Sequence, residues 1–440
     1  MIIELNPMIL FVFLILLLML GYPVAFSLGG LSLIVGALTF GVDFFNLLPL
    51  RVWGIMTNYV MLAVPLFVFM GVMLEKSGLA NDLLETMALL FGKLKGGLAI
   101  SVLFVGLLLA ASTGIVGATV VTMGLLSLPT MLKRGYKPEL ATGTIVSAGT
   151  LGQIIPPSIV LVLLGSVLNV SIGDLFIGAL IPGMLIVGLY FILILIIAHI
   201  KPEWAPAMPS DELAAFEASG KWKRVGKSLA APIGLMVAVL GSIFTGIASP
   251  TEAAAVGAAG ATLMTWSQGK LNRDTLLAVM KETTWLTSMV MIILVGATAF
   301  GLVFRGAGGD LYLAGLISHF DLSPHHFLLI VMITVFIAGF FIDFIEICFI
   351  IVPVVTPLFI QMGIDLTWIG ILLAVNLQTS FLTPPFGFAL FYLKGVAPPG
   401  ITTGHLYRGI IPFIAIQLLV LLLVALFPEL SLSLVHWIGG

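Results

Sequence analysis

Long apolar runs alternate along this chain with short polar, proline- or glycine-bearing interruptions. Runs of this length cross a bilayer as helices, whereas a membrane barrel shows short alternating segments. The pattern predicts spans at 8–20, 23–40 and 53–74, then an amphipathic stretch at 79–91. Two half-length runs, 98–111 and 115–132, meet at Ser112-Thr113-Gly114 and predict a re-entrant hairpin. A broken span, 139–155 then 158–170, and a closing span, 174–199, complete the half. After a polar linker the order returns. Spans lie at 229–245, 250–266 and 284–304, with an amphipathic stretch at 309–320. Half-runs follow at 327–341 and 344–362, then a broken span, 366–382 and 386–394, and a last span, 405–427. The expected division is therefore a first repeat over 1–200, a linker over 201–228 and a second repeat over 229–440.

The repeat is also visible in spacing. Pro129 lies six residues before Gly135, and Pro156-Pro157 follows 21 residues later. Pro357, Gly363 and Pro384-Pro385 reproduce that register 228 residues on. If each half has an odd number of crossings plus one re-entrant hairpin, the second half is inverted. With the linker in the cytoplasm, 16 of the 18 basic residues fall inside and only Arg51 and Arg305 outside. Positive charge concentrates on the cytoplasmic side of membrane proteins, so both termini are expected in the periplasm.

Composition narrows the class. The chain is 60% hydrophobic and 9% charged, far below the roughly 25% charged residues of soluble domains. Its outer solvent is expected to be lipid. No basic patch points to nucleic acid, and the single cysteine, Cys348, excludes an internal disulfide. Residues 8–20 read as a retained span, because Glu4 stands where a signal peptide carries positive charge. Phosphate-loop, metal-cluster and nucleophile-elbow patterns are absent, and His325-His326 reads as a solvated corner.

Inverted repeats with interrupted helices are the architecture of secondary transporters. Unwound backbone offers carbonyls to a cation, and helix N-termini offer N–H groups to an anion. The predicted interruptions are the tips, 112–114 and 342–346, and the Pro-Pro breaks, 149–158 and 376–387. Their hydroxyl, amide and carbonyl oxygens are hard ligands suited to Na+ rather than to a resident cofactor. Taken singly, such residues satisfy their own turns or pack helices; their clustering at four related breaks favours a site. Ser249-Pro250-Thr251-Glu252 reads as a capping box. Asp343 and Glu346, at the second tip, could cap a helix, touch a cation or carry a proton. No lysine or arginine falls at the centre of a span, which leaves Arg305 as the charged partner for an anion or an interfacial anchor.

At these tips and breaks the sequence resembles the large membrane subunit, DctM type, of tripartite ATP-independent periplasmic (TRAP) transporters. The likeness runs through Ala111-Ser112-Thr113-Gly114, Ile154-Ile155-Pro156-Pro157-Ser158-Ile159, Gly246-Ile247-Ala248-Ser249-Pro250-Thr251-Glu252-Ala253, Phe341-Ile342-Asp343 and Leu382-Thr383-Pro384-Pro385-Phe386-Gly387. The resemblance implies an all-α polytopic elevator-type importer in the bacterial inner membrane, driven by Na+. It also implies a small four-helix membrane subunit (DctQ type) and a periplasmic binding protein that delivers a small carboxylate. Substrate contacts are then expected at Ser112, Thr113, Gly114, Pro156, Pro157, Thr383, Pro384 and Pro385, with Arg305 added on charge. Na+ contacts are expected at Ser112, Thr113, Gly149, Thr150, Gly152, Asp343, Glu346, Gln378, Thr379, Thr383 and Gly387. The variants around Glu346 and Phe388 look closer to branches for 2-oxo or other organic acids than to the sialic-acid branch.

Two other readings have distinct signatures. A stand-alone Na+/dicarboxylate-type carrier would not depend on an added binding protein. A purely structural membrane subunit would gain nothing from paired helix breaks. The charge asymmetry yields a direct test of orientation. Ser210→Cys, in the linker, is expected to resist an impermeant thiol reagent added to intact spheroplasts and to react after lysis. Labelling of the intact spheroplasts would invert the topology.

Overall fold

The computed structural model describes residues 6–113, 116–218 and 221–439, with side chains at all of these except 110–113, 215, 223, 224, 227 and 439. Among them every regular element is a helix. The first half contains α1 (Met8–Met19), α2 (Val24–Phe40), α3 (Leu48–Met56), α4 (Ala63–Lys76), α5 (Leu79–Phe91), α6 (Gly97–Thr113), α7 (Val116–Lys133), α8 (Pro138–Thr150), α9 (Ile159–Leu168) and α10 (Ile172–Ile200). The linker carries α11 (Ser210–Ala218). The second half contains α12 (Lys221–Phe244), α13 (Pro250–Ser267), α14 (Arg273–Gly306), α15 (Gly309–His319), α16 (Pro324–Ala338), α17 (Phe344–Ile350), α18 (Val352–Gln361), α19 (Leu366–Leu382), α20 (Phe388–Val396), α21 (Thr403–Leu426) and α22 (Glu429–Gly439).

The order of amphipathic helix, two-armed hairpin, broken span and long closing helix occurs twice, as α5–α10 and α15–α21. The turn glycines that mark the repeat do the same job in each half. Gly135 and Gly363 adopt φ of 79° and 68°, the left-handed conformation that glycine reaches without a Cβ clash. In each case the next residue donates to a carbonyl five back: Tyr136 to Met131 and Ile364 to Phe359, both at 3.0 Å. This pattern closes a helix and satisfies its last carbonyls.

Three departures from the sequence reading have local causes. The span expected at 53–74 is divided between α3 and α4. Thr57 Oγ1 donates to the Trp53 carbonyl at 2.8 Å, and the Asn58 side chain accepts the Val60 N–H at 3.0 Å. These local bonds compete with the helix. The linker is partly helical, since α11 lies within it and α12 begins at Lys221. A terminal helix, α22, follows Pro428 and packs along α10.

Packing is densest within two sets of helices, which meet where α6 lies on α4 and α17 on α14. In one, α2 lies along α14 and α4 along α13, with α12 on their flank. In the other, α6, α7 and α21 gather around α8, and α16 and α9 around α19. Small residues permit backbone contact here, as in membrane bundles generally. A Cβ on Gly143 would stand 2.2 Å from the Gly409 carbonyl oxygen, and one on Gly409 2.1 Å from that of Glu139. Outward faces are apolar, including Phe13, Leu38, Trp285 and Leu422.

The linker is strapped to the first half. Met208 N–H donates to the Gly92 carbonyl at 2.9 Å, Gly96 N–H to Ala205 at 2.9 Å and Lys137 N–H to Trp204 at 3.0 Å. The Lys137 and Lys201 ammonium groups sit 3.5 and 4.0 Å from the Trp204 ring centre, a cation–π arrangement. Arg134 pairs with Glu212 and Lys93 with Glu217.

Two outcomes follow from this packing. Gly143→Val is expected to lower the unfolding temperature of the detergent-purified protein, through an overpacking cost of about 1–3 kcal/mol; an unchanged temperature would mean that α8 and α21 separate freely. The hydrogen bonds from Arg134 and Lys93 hold the Glu212 and Glu217 carboxyls below their ordinary range. Depressed carboxylates stabilise above the unfolded value and lose that contribution as pH falls through the folded one. Protease cleavage of the linker should therefore be constant from about pH 6 to 8 and rise below about pH 4. A rise near pH 7 would place the anchoring on other groups.

Candidate functional site

The first break begins where α8 ends at Thr150. A 3-10 turn, Leu151–Gln153, leads through Ile154 and Ile155 to Pro156-Pro157, which lack the N–H groups a helix needs. Ser158 then starts α9: its Oγ accepts from Leu161 N–H at 3.4 Å and donates to the Gln153 carbonyl at 2.7 Å. Residues 151–160 are all buried. Gly149 admits a close approach of α7, since a Cβ there would lie 2.4 Å from Val120 Cγ2.

The second break is its counterpart but more open. α19 ends at Leu382, Thr383 turns extended, and α20 starts after Gly387, whose φ is 24°. Pro385 and Phe386 are exposed, Thr383 and Pro384 half-buried. Tyr407 hydroxyl donates to the Pro385 carbonyl at 2.6 Å. Both Pro-Pro bonds are cis.

At the second hairpin tip, Asp343 caps α17. Its Oδ1 accepts the Phe344 N–H at 2.6 Å, while Glu346 Oε2 accepts the Asp343 N–H at 3.0 Å. Of the roles open to these acids in the sequence, the capping box is the one the geometry displays. Ser249 and Glu252 form the other expected box at the start of α13.

The first tip is described up to its flanks. Gly114 lies outside the described residues, as do the side chains of Ser112 and Thr113 at the end of α6. On the far flank, a Cβ on Gly117 would stand 3.0 Å from the Tyr392 ring. Tyr392 belongs to α20, which packs on α7. Phe344 and Phe381 rings are 6.2 Å apart, and Phe341 and Phe386 rings 4.9 Å. The turn Leu151–Gln153 packs on α19. The start of α7, the second tip and both breaks thus adjoin.

The hydroxyls around them spend their hydrogens on their own helices. Thr150 Oγ1 donates to Ser147 O at 3.0 Å, Thr379 Oγ1 to Val375 O at 2.7 Å and Thr383 Oγ1 to Thr379 O at 2.7 Å. Each oxygen keeps lone pairs for a further ligand. Thr379 also reaches Gln417 Oε1 at 3.3 Å, and Gln417 donates to the Tyr190 hydroxyl at 2.9 Å. Gln378 and Gln153 are fully buried, and neither amide has a hydrogen-bond partner among the described residues. The sequence reading places Gln153 inside the break without giving it a role. An amide just before a Pro-Pro pair in an apolar run is the signal that marks it.

Two expected residues point elsewhere. Pro157 borders an apolar niche of about 20 Å³ with Met70, Leu108 and Leu235. Arg305 lies at the end of α14 on a separate cavity of about 440 Å³. No group of three or more His, Cys, Asp or Glu residues gathers among the described residues, so the donors at the breaks are hydroxyl, amide and carbonyl oxygens.

Comparison with known proteins gives this geometry a family. A model of the tripartite ATP-independent periplasmic transporter, DctM component, matches residues 11–430. The C4-dicarboxylate TRAP transporter large permease protein DctM of Pseudomonas aeruginosa is 34% identical over 413 residues, 93% of this chain and 94% of its own. The sialic acid TRAP transporter large permease protein SiaM of Vibrio cholerae is 30% identical over 415 residues, 94% of this chain and 95% of its own. The YdaH transporter of Alcanivorax borkumensis shares the fold, with a TM-score of 0.65 over 98% of this chain and 100% of that one at 16% identity. The chain is accordingly a multi-pass membrane transport protein rather than an enzyme, and it belongs to the DctM family of TRAP transporter large permease subunits.

Proposed function

We propose that this chain forms the transmembrane route of an importer for a small carboxylate, coupled to Na+ and operating as an elevator in the bacterial inner membrane. It works with a periplasmic binding protein and a small four-helix membrane subunit of DctQ type. The observation that carries this reading is the pair of repeat-related breaks with Gln153 and Gln378 buried beside them and unpartnered. A buried amide without a partner costs about 1–3 kcal/mol, and bound solute or cation would offset that cost. Backbone carbonyls at 149–152 and around Gly387, with the oxygens of Thr150, Gln378, Thr379 and Thr383, are the donors for Na+; Ser112 and Thr113 extend the set at the first tip. Unwound segments of this kind coordinate Na+ in other secondary transporters. Pro156 and Pro384 keep each helix from closing across its break.

The cargo class is supported by the relatives, whose names specify a C4-dicarboxylate and sialic acid. The grouping of helices into an α2–α4–α13–α14 set and a hairpin-bearing set supports an elevator, in which the second set moves against the first. Exposed apolar faces on α1 and α2, with Val12, Leu16, Phe26 and Leu38, suit lipid or the small subunit. The 16-to-2 charge asymmetry supports periplasmic termini.

Uptake into liposomes against Na+ concentration, with both partners present, tests the reading. Thr383→Ala is expected to shift Na+ activation to higher concentration, by roughly 5–150-fold if the coupling is of ordinary size. Pro384→Ala should impair transport. Gln153→Leu should weaken transport while leaving thermal stability unchanged or higher, because it removes an unpaired buried amide. Unaltered Na+ activation in all three variants would place coupling elsewhere. Full uptake by the lone subunit would support the stand-alone carrier.

A further inference from the structure

The two basic residues that the topology leaves on the outer side, Arg51 and Arg305, come from segments more than 250 residues apart, yet they line one cavity of about 440 Å³. Arg51 projects from α3, and Arg305 from the last turn of α14. Both are exposed, and neither has an ion-pair partner within 4.0 Å among the described residues. Asn58, Ser166 and Thr298 add neutral polar groups to the same wall. The one acid there, Asp310, lies in the first turn of α15, where the helix N-terminus already compensates its charge. The wall therefore carries net positive charge with its guanidinium groups uncommitted.

Position gives this charge a use. The far wall is the bend between α17 and α18, where Ile350 and Pro353 border the cavity and the helices turn by 50°. Glu346 at the second tip lies one turn before Ile350. The cavity thus lies between α3 and α14 on one side and the second arm of the second hairpin on the other, one helical turn from its tip. Its remaining lining is largely apolar, including Phe300, Phe304 and Phe349. Low-dielectric walls of this kind focus the field of a few charges. Guanidinium groups match carboxylates by paired N–H donors.

Resting on the importer reading above, we infer that the Arg51–Arg305 cavity is an outer receiving site for the carboxylate group of the cargo, occupied before the solute reaches the helix breaks. An anionic lipid headgroup presents related chemistry, and the test separates the two.

Gly54 lines the cavity from α3, and a Cβ added there meets open space. Gly54→Cys, combined with Cys348→Ser to remove the native thiol, reports on the site without requiring transport. The protein is reconstituted with its small subunit in phosphatidylcholine vesicles. It is labelled with a sulfonate-bearing and a trimethylammonium-bearing methanethiosulfonate, each rate being divided by that for a free thiol. A preference of about tenfold or more for the sulfonate reagent is expected. It should vanish in Arg51→Gln/Arg305→Gln, and succinate or pyruvate should slow labelling only when the arginines are present. Absence of the preference, or a preference with no protection by either carboxylate, would overturn the inference. Protection seen only when phosphatidylglycerol replaces phosphatidylcholine would assign the cavity to headgroups and overturn it also. Protection by carboxylate in a complex whose uptake ignores Na+ would sustain the receiving site and count against the coupling scheme alone.

Discussion

The hydrocarbon core of a membrane supplies no hydrogen bonds, so every backbone group within it has to be satisfied by protein. The rest of this architecture depends on that constraint. A helix interrupted by two prolines exposes carbonyls and N–H groups that lipid cannot accommodate. The fold therefore surrounds both interruptions. Around the first, residues 151–160 are wholly buried, and Ser158 closes the break by bonding the Gln153 carbonyl. Around the second, Tyr407 reaches in to the Pro385 carbonyl. Glycines at 143, 149 and 409 bring neighbouring helices close enough to exclude lipid.

The two halves solve the same problem unequally. The first break is sealed, whereas Pro385 and Phe386 of the second stay exposed. The buried chain from Thr379 through Gln417 to Tyr190 ties the second broken helix to the closing spans of both halves. Movement of α19 relative to α10 and α21 would break it, so these three helices are expected to travel together. Among the described residues with unpartnered buried polar atoms, Gln153 and Gln378 are the two whose whole amides are unpaired, and both lie at the breaks. With every polar atom unspent, those two amides are where a ligand would be felt most.

Much of this was legible in the sequence because the determinants are strong and local. Apolar length fixes spans, and Pro-Pro pairs fix breaks. The Asp343–Glu346 and Ser249–Glu252 boxes follow from spacing alone. What was not legible depends on tertiary context. Asn58 ends α3 inside an apolar run, because a single side chain there competes with the helix for a backbone N–H. The linker's helix α11 is held through Glu217 by the distant Lys93, and the segment before it by Gly92. The sequence puts Arg51 and Arg305 on the same side of the membrane, but only folding brings them to one cavity. Likewise, the sequence marks Gln153 as an amide before a Pro-Pro pair, but only its burial shows that the amide is left unpaired.

The length of α14 has a mechanical consequence. Its 34 residues extend about 51 Å at 1.5 Å per residue, against a hydrocarbon thickness of about 30 Å. Arg273, Asp274, Lys281 and Glu282 occupy its first three turns, and Glu282 bonds Lys76 of α4 at 3.2 Å. About 20 Å of the helix exceeds that thickness, and the ion pair splints its charged end to α4. A helix so much longer than the bilayer is thick meets mismatch by tilting or protruding. Because α2 and α4 both lie along α14, its tilt is shared by the whole set, and membrane thickness becomes a setting on the angle of that frame.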